Sequence, residues 1–193
     1  MTAITDIKTE LRRRLRAERR AHAEALPQQV RALVFHRPPD PVLDLVPDGA
    51  TVALYAEVDG EAPTGGYLRF FHERGHPVAL PCFAGRNSAM TFRKVDNPYA
   101  ADLVDGPFGL QPSASAVEVE PDLLFVPLLG FTADGTRLGQ GGGHYDRWLA
   151  DHPSSVPIGL AWDIQEQPEL PTEPHDARLR AVVTPTRFLG PFE

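Results

Sequence analysis

A strand buried on both faces of a parallel sheet is apolar at nearly every position, and this sequence contains several such runs. The longest is PDLLFVPLLGF at residues 121–131, and VPIGLAW at residues 156–162 is a second. Further strand-type segments occupy residues 50–58, 76–83, 89–95 and 180–188, and helix-type segments occupy residues 62–75 and 144–152. A loop-rich stretch extends through GPFGLQPS at residues 106–113. Because strands alternate with helices, we expect an α/β fold with a mostly parallel sheet and helices on both faces.

The size and composition of the chain are those of an ordinary globular protein. At 193 residues it is long enough for one core, so we expect a single domain over residues 1–193. No apolar stretch approaches the roughly 20 residues of a membrane span, and the N-terminus lacks the apolar segment of a signal peptide. The single cysteine, Cys82, fits a reducing compartment and reads as a small buried thiol. We expect a cytoplasmic monomer without membrane partners.

The N-terminal segment TDIKTELRRRLRAERRAHAEAL, residues 5–26, has the pattern of an amphipathic helix with Thr5 as its N-cap. Within it, Lys8, Arg12 and Arg19 share one face, since they are four and seven residues apart. Residues 1–24 carry a net charge of +3 and the remainder −10. The acidic remainder argues against nucleic-acid binding, which requires many cationic contacts. Two interpretations of the basic face stay open, a solvated surface or a source of cations for one small anionic ligand.

The segment RLGQGGGHYDRWL, residues 137–149, combines four glycines with the start of a helix. It matches neither the dinucleotide-binding fingerprint nor the Walker loop. It nevertheless follows a buried strand and precedes a helix, where free backbone amides and the helix dipole attract anions. The segment predicts a phosphate site in which Asp146 holds Mg²⁺ and Arg137 and Arg147 neutralise phosphate oxygens. The alternative is a flexible turn with Asp146 as helix N-cap.

The string HERGH, residues 72–76, matches the H-E-x-x-H zinc pattern in letters only. That pattern requires both histidines on one helical face. Gly75 and Pro77 are expected to end the helix before His76. We therefore predict no zinc site there.

Five ordered segments of the chain resemble the 5-formyltetrahydrofolate cyclo-ligase family. The glycine-rich segment is the most specific, since LLFVPLLGFTADGTRLGQGGGHYDRWL resembles the signature of that family. The others are KTELR with Arg19, YAEVDGEAPT, VALPCF with AMTFRKV and FGLQP, and the closing GLAWDIQEQPELPTEPHDARLRAVVTPT. The resemblance covers nearly the whole chain. It implies a three-layer α/β/α fold similar to the ribose-5-phosphate isomerase and glucosamine-6-phosphate deaminase fold.

The resemblance also implies an activity, the ATP- and Mg²⁺-dependent cyclisation of 5-formyltetrahydrofolate to 5,10-methenyltetrahydrofolate with release of ADP and phosphate. The residues it assigns to ATP are Lys8, Arg12, Arg137, Leu138, Gly139, Gln140, Gly141, Gly142, Gly143, His144 and Tyr145. The residues it assigns to the folate are Tyr55, Ala56, Glu61, Met90, Phe92, Phe108 and Tyr145, of which Glu61 recognises the pterin. Asp146 and Asp176 are its Mg²⁺ ligands. Arg137, Tyr145 and Arg147 are the candidate catalytic residues.

Some positions depart from the family pattern, and some alternatives stay open. His144 and Gln140 stand where the family often has tyrosine, and the segment EAPT has one more residue than many members. For the apolar folate residues the alternative is ordinary core packing, and for Arg147 it is an ion pair with Asp146. For the whole protein the alternatives are a catalytically silent relative that binds folate or nucleotide, and a sugar-phosphate isomerase on a related fold.

Overall fold

The computed structural model describes residues 4–58, 60–99 and 102–193, with Ala32 described by its backbone only. The helices are α1 (Ile4–Ala25), α2 (Gln28–Leu33), α3 (Asp40–Leu43), α4 (Gly65–Glu73) and α5 (His144–Asp151), and Asp163–Gln165 forms one 3-10 turn. The first strands are β1 (Val52–Ala53), β2 (Val78–Phe83), β3 (Met90–Lys94), β4 (Leu103–Gly106), β5 (Gly109–Pro112) and β6 (Glu118–Val119). The later strands are β7 (Leu123–Val126), β8 (Gly130–Phe131), β9 (Arg137–Leu138), β10 (Val156–Leu160), β11 (Ala181–Val183) and β12 (Phe188–Leu189).

Within the described residues, eight strands form one sheet in the order β12-β11-β10-β7-β1-β2-β3-β6. The five strands β11, β10, β7, β1 and β2 are parallel to one another. The edge strands β12, β3 and β6 run antiparallel to their neighbours. The predicted mostly parallel sheet is confirmed, and the apolar run after residue 121 supplies its fully buried central strand β7.

Alternate side chains of the sheet pack into two separate cores. Val52 and Phe125 belong to the core under α4, together with Tyr67 and Phe71. Ala53, Leu124 and Phe92 point the other way and pack under α5 with Trp148 and Leu149. Each fully buried leucine or phenylalanine stabilises such a core by about 1.5–3 kcal/mol. Helices therefore cover both faces of the sheet in three layers, and the finer likeness to the sugar-phosphate isomerase fold stays a prediction.

The run PDLLFVPLLGF does not form one strand. Pro127 follows β7 directly and has no N–H to donate to a sheet. Beyond it, the buried side chain of Gln165 donates to the carbonyls of Leu128 and Leu129 at 2.8 and 3.2 Å. The chain thus leaves the main sheet and forms a separate two-stranded ribbon, β8 with β9. The second strand of this ribbon, β9, begins the glycine-rich segment at Arg137.

Other elements also differ from the expectation. The N-cap at Thr5 was wrong, because α1 already includes Ile4 and the Thr5 carbonyl accepts the Thr9 hydroxyl at 2.8 Å inside the helix. The stretch 50–58 contributes only the two residues of β1. GPFGLQPS is not a loop, since it forms much of the β4–β5 hairpin. As predicted, α4 ends before His76, whose ring bonds the Ala50 carbonyl.

Among the described residues, no helix combines the length and the apolar character that a membrane span needs.

Candidate active site

A cavity of about 780 Å³ opens where the carboxyl ends of β1, β2 and β7 meet α1 and the glycine-rich segment. Ligands of open α/β sheets commonly bind at this edge, because the loops that follow parallel strands converge there. The cavity is lined by residues from α1, from the segments around Tyr55, Phe83 and Phe108, from the glycine-rich segment and from the segment around Asp176. Most of its charged groups are arranged in pairs.

The glycine-rich segment forms the loop between β9 and α5, and its backbone requires glycine. Gly141 has φ +105° and Gly143, the N-cap of α5, has φ +63°, both in the region that disfavours a Cβ. The Gly143 cap makes no side-chain hydrogen bond to the helix. The first amides of α5 are thus available to an anion at the positive end of the helix dipole.

Helix α1 holds this loop from one side. The Arg12 Nε donates to the Gly139 carbonyl at 3.1 Å, and Arg16 donates to the side-chain oxygen of Gln140 at 3.0 Å. Both guanidinium groups therefore lie beside the loop amides. This arrangement places two positive charges next to a candidate phosphate site.

Arg137 and Asp146 form a nearly buried ion pair across the loop. The Nη2 of Arg137 lies 2.6 Å from Oδ1 of Asp146, which also accepts the Ala177 N–H at 3.1 Å. Burial lowers the pKa of the Arg137 guanidinium, and the Asp146 carboxylate opposes that shift. The Arg137 Nε is buried without a hydrogen-bond partner among the described residues. The interpretation of Asp146 as helix N-cap is wrong, because Gly143 holds that position.

Lys8 is buried between two carboxylates, so the interpretation of a solvated basic face is wrong for this residue. It is 3 % exposed, and its Nζ lies 2.8 Å from Glu173 and 2.5 Å from Asp176. Burial lowers the pKa of Lys8, but the hydrogen bonds to Asp176 and Glu173 outweigh it, and the net shift is upward. Burial likewise raises the pKa of Asp176, and the hydrogen bond from Lys8 reverses that shift. Both groups are therefore charged at neutral pH.

Glu61 is a buried carboxylate on the cavity wall. Its Oε1 accepts Arg19 Nη1 at 3.2 Å and Gln140 Nε2 at 2.9 Å, and its Oε2 accepts the Val58 N–H at 3.1 Å. Burial raises the pKa of Glu61, although the Arg19 charge opposes the shift. Gln140 thus connects the glycine loop directly to this carboxylate. Arg19 is itself 1 % exposed, so the interpretation of a solvated basic face is wrong for Arg19 as well.

The family of the chain follows from comparison with known proteins. The 5-formyltetrahydrofolate cyclo-ligase family matches residues 4–185. The chain belongs to this family. It is 31 % identical over 183 residues to 5-formyltetrahydrofolate cyclo-ligase of Escherichia coli K12, covering 92 % of this chain and 97 % of that protein. It is 35 % identical over 140 residues to the Haemophilus influenzae enzyme of the same name, covering 66 % of this chain and 72 % of that protein.

A solved structure shows the fold of the cyclo-ligase family. The NMR structure of 5,10-methenyltetrahydrofolate synthetase from Aquifex aeolicus superposes with a TM-score of 0.76 at 24 % identity. The match covers 97 % of this chain and 94 % of that one. At this identity the likeness concerns the fold alone, and it agrees with the α/β arrangement described above.

Most of the residues that the cyclo-ligase resemblance assigned line the cavity. They are Lys8, Arg12, Tyr55, Ala56, Glu61, Phe108, Asp176 and the whole segment from Arg137 to Asp146. Met90 and Phe92 are not on the lining. Both are buried in the core under α5, where the Phe92 ring contacts the Trp148 ring at 5.0 Å. For these two residues the alternative of ordinary core packing agrees with the structure.

Arg147 is also outside the cavity lining, and it is not paired with Asp146. Its Nη2 donates to the Gly142 carbonyl at 2.9 Å and lies 3.2 Å from Nδ1 of His144. His144 packs its ring against Phe83 and Phe108, at 4.9 and 5.1 Å between ring centroids. Burial and the Arg147 charge lower the pKa of His144, which is therefore neutral at neutral pH. Arg147 supports the loop, and His144 is part of the cavity wall.

Sequence reasoning missed several lining residues of this cyclo-ligase family member. They include Arg16, Val58, Pro81, Phe83, Arg86, Gly109, Leu110, Gln111, Pro127, Glu173 and His175. A sequence signal exists for Arg16, which is four residues after Arg12 on the same helical face. Glu173 precedes Asp176 by three residues, a spacing that lets both carboxylates reach Lys8. Leu110 had no such signal, because the β4–β5 hairpin was read as a loop, and Arg86 had none because it lies alone in the loop between β2 and β3.

Proposed function

We propose that this protein closes the ring of 5-formyltetrahydrofolate to give 5,10-methenyltetrahydrofolate, with ATP as co-substrate and with ADP and phosphate as the other products. The observation that carries the proposal is the family match over residues 4–185, a range that contains every residue of the cavity lining. The chemistry of the cavity supports it. One side of the cavity offers cations and loop amides, and another offers a buried carboxylate among aromatic rings.

The nucleotide side is the glycine loop with α1. Arg12 and Arg16 lie beside the loop, and the amides of Gly139–Gly143 are suited to phosphate oxygens. Arg137 fits the same role, because its buried Nε has a hydrogen to donate and no acceptor among the described residues. Lys8 remains an ammonium ion at neutral pH and can donate to a phosphate, although Glu173 and Asp176 compensate its charge. Together these groups would neutralise the triphosphate.

The carboxylates in the cavity fit a Mg²⁺ ion. This ion prefers oxygen ligands, and Asp146 and Asp176 both line the cavity at its nucleotide side. Asp146 uses Oδ1 for Arg137 and Ala177, which leaves Oδ2 for a metal. We propose Asp146 and Asp176 as the residues that would hold it. Held there, Mg²⁺ would supply positive charge that offsets the negative charge of the phosphates during phosphoryl transfer.

The folate side is centred on Glu61. The 2-amino group and ring N–H of a pterin are donors that match a carboxylate. Tyr55, Ala56 and Tyr145 line the adjacent wall. Burial raises the pKa of Tyr145, so its hydroxyl stays protonated and acts as a hydrogen-bond donor rather than a base. Phe108 supplies apolar surface nearer the hairpin.

The formyl group of the substrate is amide-like and a weak electrophile. In the proposed reaction its oxygen attacks the γ-phosphorus of ATP and ADP leaves, which turns that oxygen into a phosphate leaving group. N10 then attacks the formyl carbon and loses its proton, and phosphate departs with the former formyl oxygen. Arg137 and Lys8 stabilise the transferring charge. N10 and the formyl carbon belong to one molecule, so the gain from proximity, on the order of 7–11 kcal/mol, applies to holding the γ-phosphoryl group of ATP next to the formyl oxygen.

The test is the near-ultraviolet absorbance of methenyl-folate during incubation with 5-formyltetrahydrofolate and Mg²⁺. We expect a rise with ATP and none with a non-hydrolysable ATP analogue or without nucleotide. No rise, in a sample that binds both ligands by calorimetry, would identify the protein as a catalytically silent relative.

A further inference from the structure

The charged groups on the cavity wall separate into paired and unpaired sets. Lys8 is paired with Glu173 and Asp176, and Arg137 is paired with Asp146. Arg12, Arg16 and Arg86 also line the cavity, and none of the three has an ion-pair partner within residues 4–58, 60–99 and 102–193. A cation that the protein leaves uncompensated at a ligand cavity is a candidate for binding an anionic part of the ligand.

The three unpaired arginines lie in two different parts of the cavity wall. Arg12 and Arg16 both hydrogen-bond the glycine loop, so they belong to the nucleotide side. Arg86 lies in the loop between β2 and β3, and its guanidinium carbon is 5.7 Å from the ring centroid of Phe108 on the hairpin. Within the Arg86 loop, the Ser88 hydroxyl accepts the Gly85 N–H at 3.0 Å and donates to the Gly85 carbonyl at 2.8 Å.

An exposed but fixed apolar surface lies next to Arg86. The rings of Phe83 and Phe108 contact each other at 4.8 Å, edge to face. The Gln111 side chain ties the hairpin to β2, accepting the Phe83 N–H at 3.0 Å and donating to its carbonyl at 3.1 Å. Phe108 and Leu110 nevertheless keep 42 % and 53 % of their surface exposed. Phe83, Phe108 and Leu110 therefore form an apolar, partly aromatic surface, called the shelf below, with the Arg86 guanidinium above it.

We propose that Arg86 determines specificity for the glutamate end of the folate by binding its carboxylates, with the neighbouring aminobenzoyl ring against Phe108. This inference rests on the proposed function. The two substrates carry two anionic ends, the triphosphate and the glutamate, and the glycine loop with Arg12 and Arg16 accounts for the first. The group that precedes the glutamate in a folate is aromatic, which suits the shelf. The Arg86 guanidinium makes a cation–π contact with Phe108 at 5.7 Å, which leaves its N–H groups able to donate to a carboxylate.

The experiment compares two folates that differ only in the glutamate. Calorimetry measures the Kd of 5-formyltetrahydrofolate and of 5-formyltetrahydropteroate, which lacks glutamate, for the unaltered protein and for Arg86→Gln. We expect the substitution to weaken binding of the glutamate-containing folate about fivefold, the modest size typical of an exposed ion pair, and to leave the pteroate unaffected. Arg86→Lys should restore part of the loss, because it keeps the charge but not the forked geometry. These Kd values are measured without ATP, so they do not depend on turnover.

A matched control is available in the chain. Arg74 also stacks on an aromatic ring, with its guanidinium carbon 4.4 Å from the Phe70 centroid, but it lies away from the cavity lining. Arg74→Gln should leave both Kd values unchanged. An equal loss for both folates in Arg86→Gln would overturn the proposal, and so would an increase in the KM for ATP alone. If the protein shows no turnover but Arg86→Gln weakens binding of the glutamate-containing folate alone, the proposed reaction is overturned and the role of Arg86 is retained.

Discussion

At the scale of single residues, the site depends on charges that are buried together. Asp146 is proposed as a metal ligand, and the structure also makes it the partner of the buried Arg137. Sequence reasoning identified both residues but did not predict that they pair. The reason is physical, since a nine-residue separation gives no contact unless β9, the loop and α5 fold back on one another.

The substitution Asp146→Asn tests the metal role. An asparagine keeps an oxygen for Arg137 and Ala177 but removes the negative charge, so we expect turnover to fall about 100-fold or more, as when transition-state electrostatics are lost. The thermal midpoint should also fall, because the Arg137 charge loses its compensation. The control is Asp134→Asn, in an exposed pair with Arg178 outside the cavity. Near-normal rates at ordinary Mg²⁺ concentrations would remove Asp146 from the proposed ligands.

Glu61 gives a prediction about pH. Its pKa is raised by burial, so the carboxylate takes up a proton at a higher pH than an exposed glutamate does. Arg19, Gln140 and Val58 already use three of its roughly four acceptor positions, so a pterin N–H needs the remaining one, and protonation turns that acceptor into a donor. Folate affinity should therefore fall as the pH is lowered through a value above the usual carboxyl range. Calorimetric Kd values across acidic to neutral pH, compared with Glu61→Gln, isolate the effect, and identical pH curves for the two proteins would contradict it.

At the scale of elements, the strands and helices that form the two cores could be predicted from their apolar patterns, but the small elements could not. Helices α4 and α5 and strands β2, β7, β10 and β11 lie where apolar runs indicated them. The β4–β5 hairpin was not predicted because half of its strand residues are exposed and the contact that ties it to β2, through the Gln111 side chain, comes from tertiary structure. The split of the run after residue 121 depends on Gln165, which is distant in sequence.

The glycine loop gives a prediction at this scale. Gly141→Ala places a Cβ at φ +105°, where it would also lie 3.4 Å from the Arg12 Nε. We expect a loss of about 1–2 kcal/mol in the free energy of unfolding from backbone strain, together with a higher KM for ATP. Gly49→Ala is the control, because Gly49 has φ +73° with no atom near the added Cβ and is not on the cavity lining. Denaturant unfolding should show similar losses in the free energy of unfolding for the two variants. Steady-state kinetics should show a changed KM for ATP only for Gly141→Ala.

At the scale of the whole molecule, we propose that residues 1–193 form one domain. The main sheet takes strands from Val52 to Leu189, and the cavity combines α1 with segments near residue 176. Elements so distant in sequence should unfold together, so calorimetry should give one transition with equal calorimetric and van't Hoff enthalpies. Folate at 100 times its Kd should add about 2.7 kcal/mol to the free energy of unfolding. Two separated transitions would contradict the single domain.

The charge distribution could be interpreted only partly from the sequence. The basic N-terminal segment suggested cations for a small anionic ligand; the structure places Lys8 and Arg12 on the cavity lining, and their role in binding stays a prediction. Periodicity could not show that Lys8 and Arg19 are buried, because their partners Asp176 and Glu61 come from distant segments. Burial of such groups depends on tertiary contacts that no local pattern encodes.

The central claim is that ATP activates the formyl oxygen of the folate in this cavity. The most direct measurement uses 5-formyltetrahydrofolate carrying ¹⁸O in the formyl group, in a single turnover with enzyme in excess. Mass spectrometry then follows the label. We predict one ¹⁸O atom in each phosphate released, together with one methenyl product per ADP. Label found in water, with unlabelled phosphate, would contradict the proposed phosphorylation.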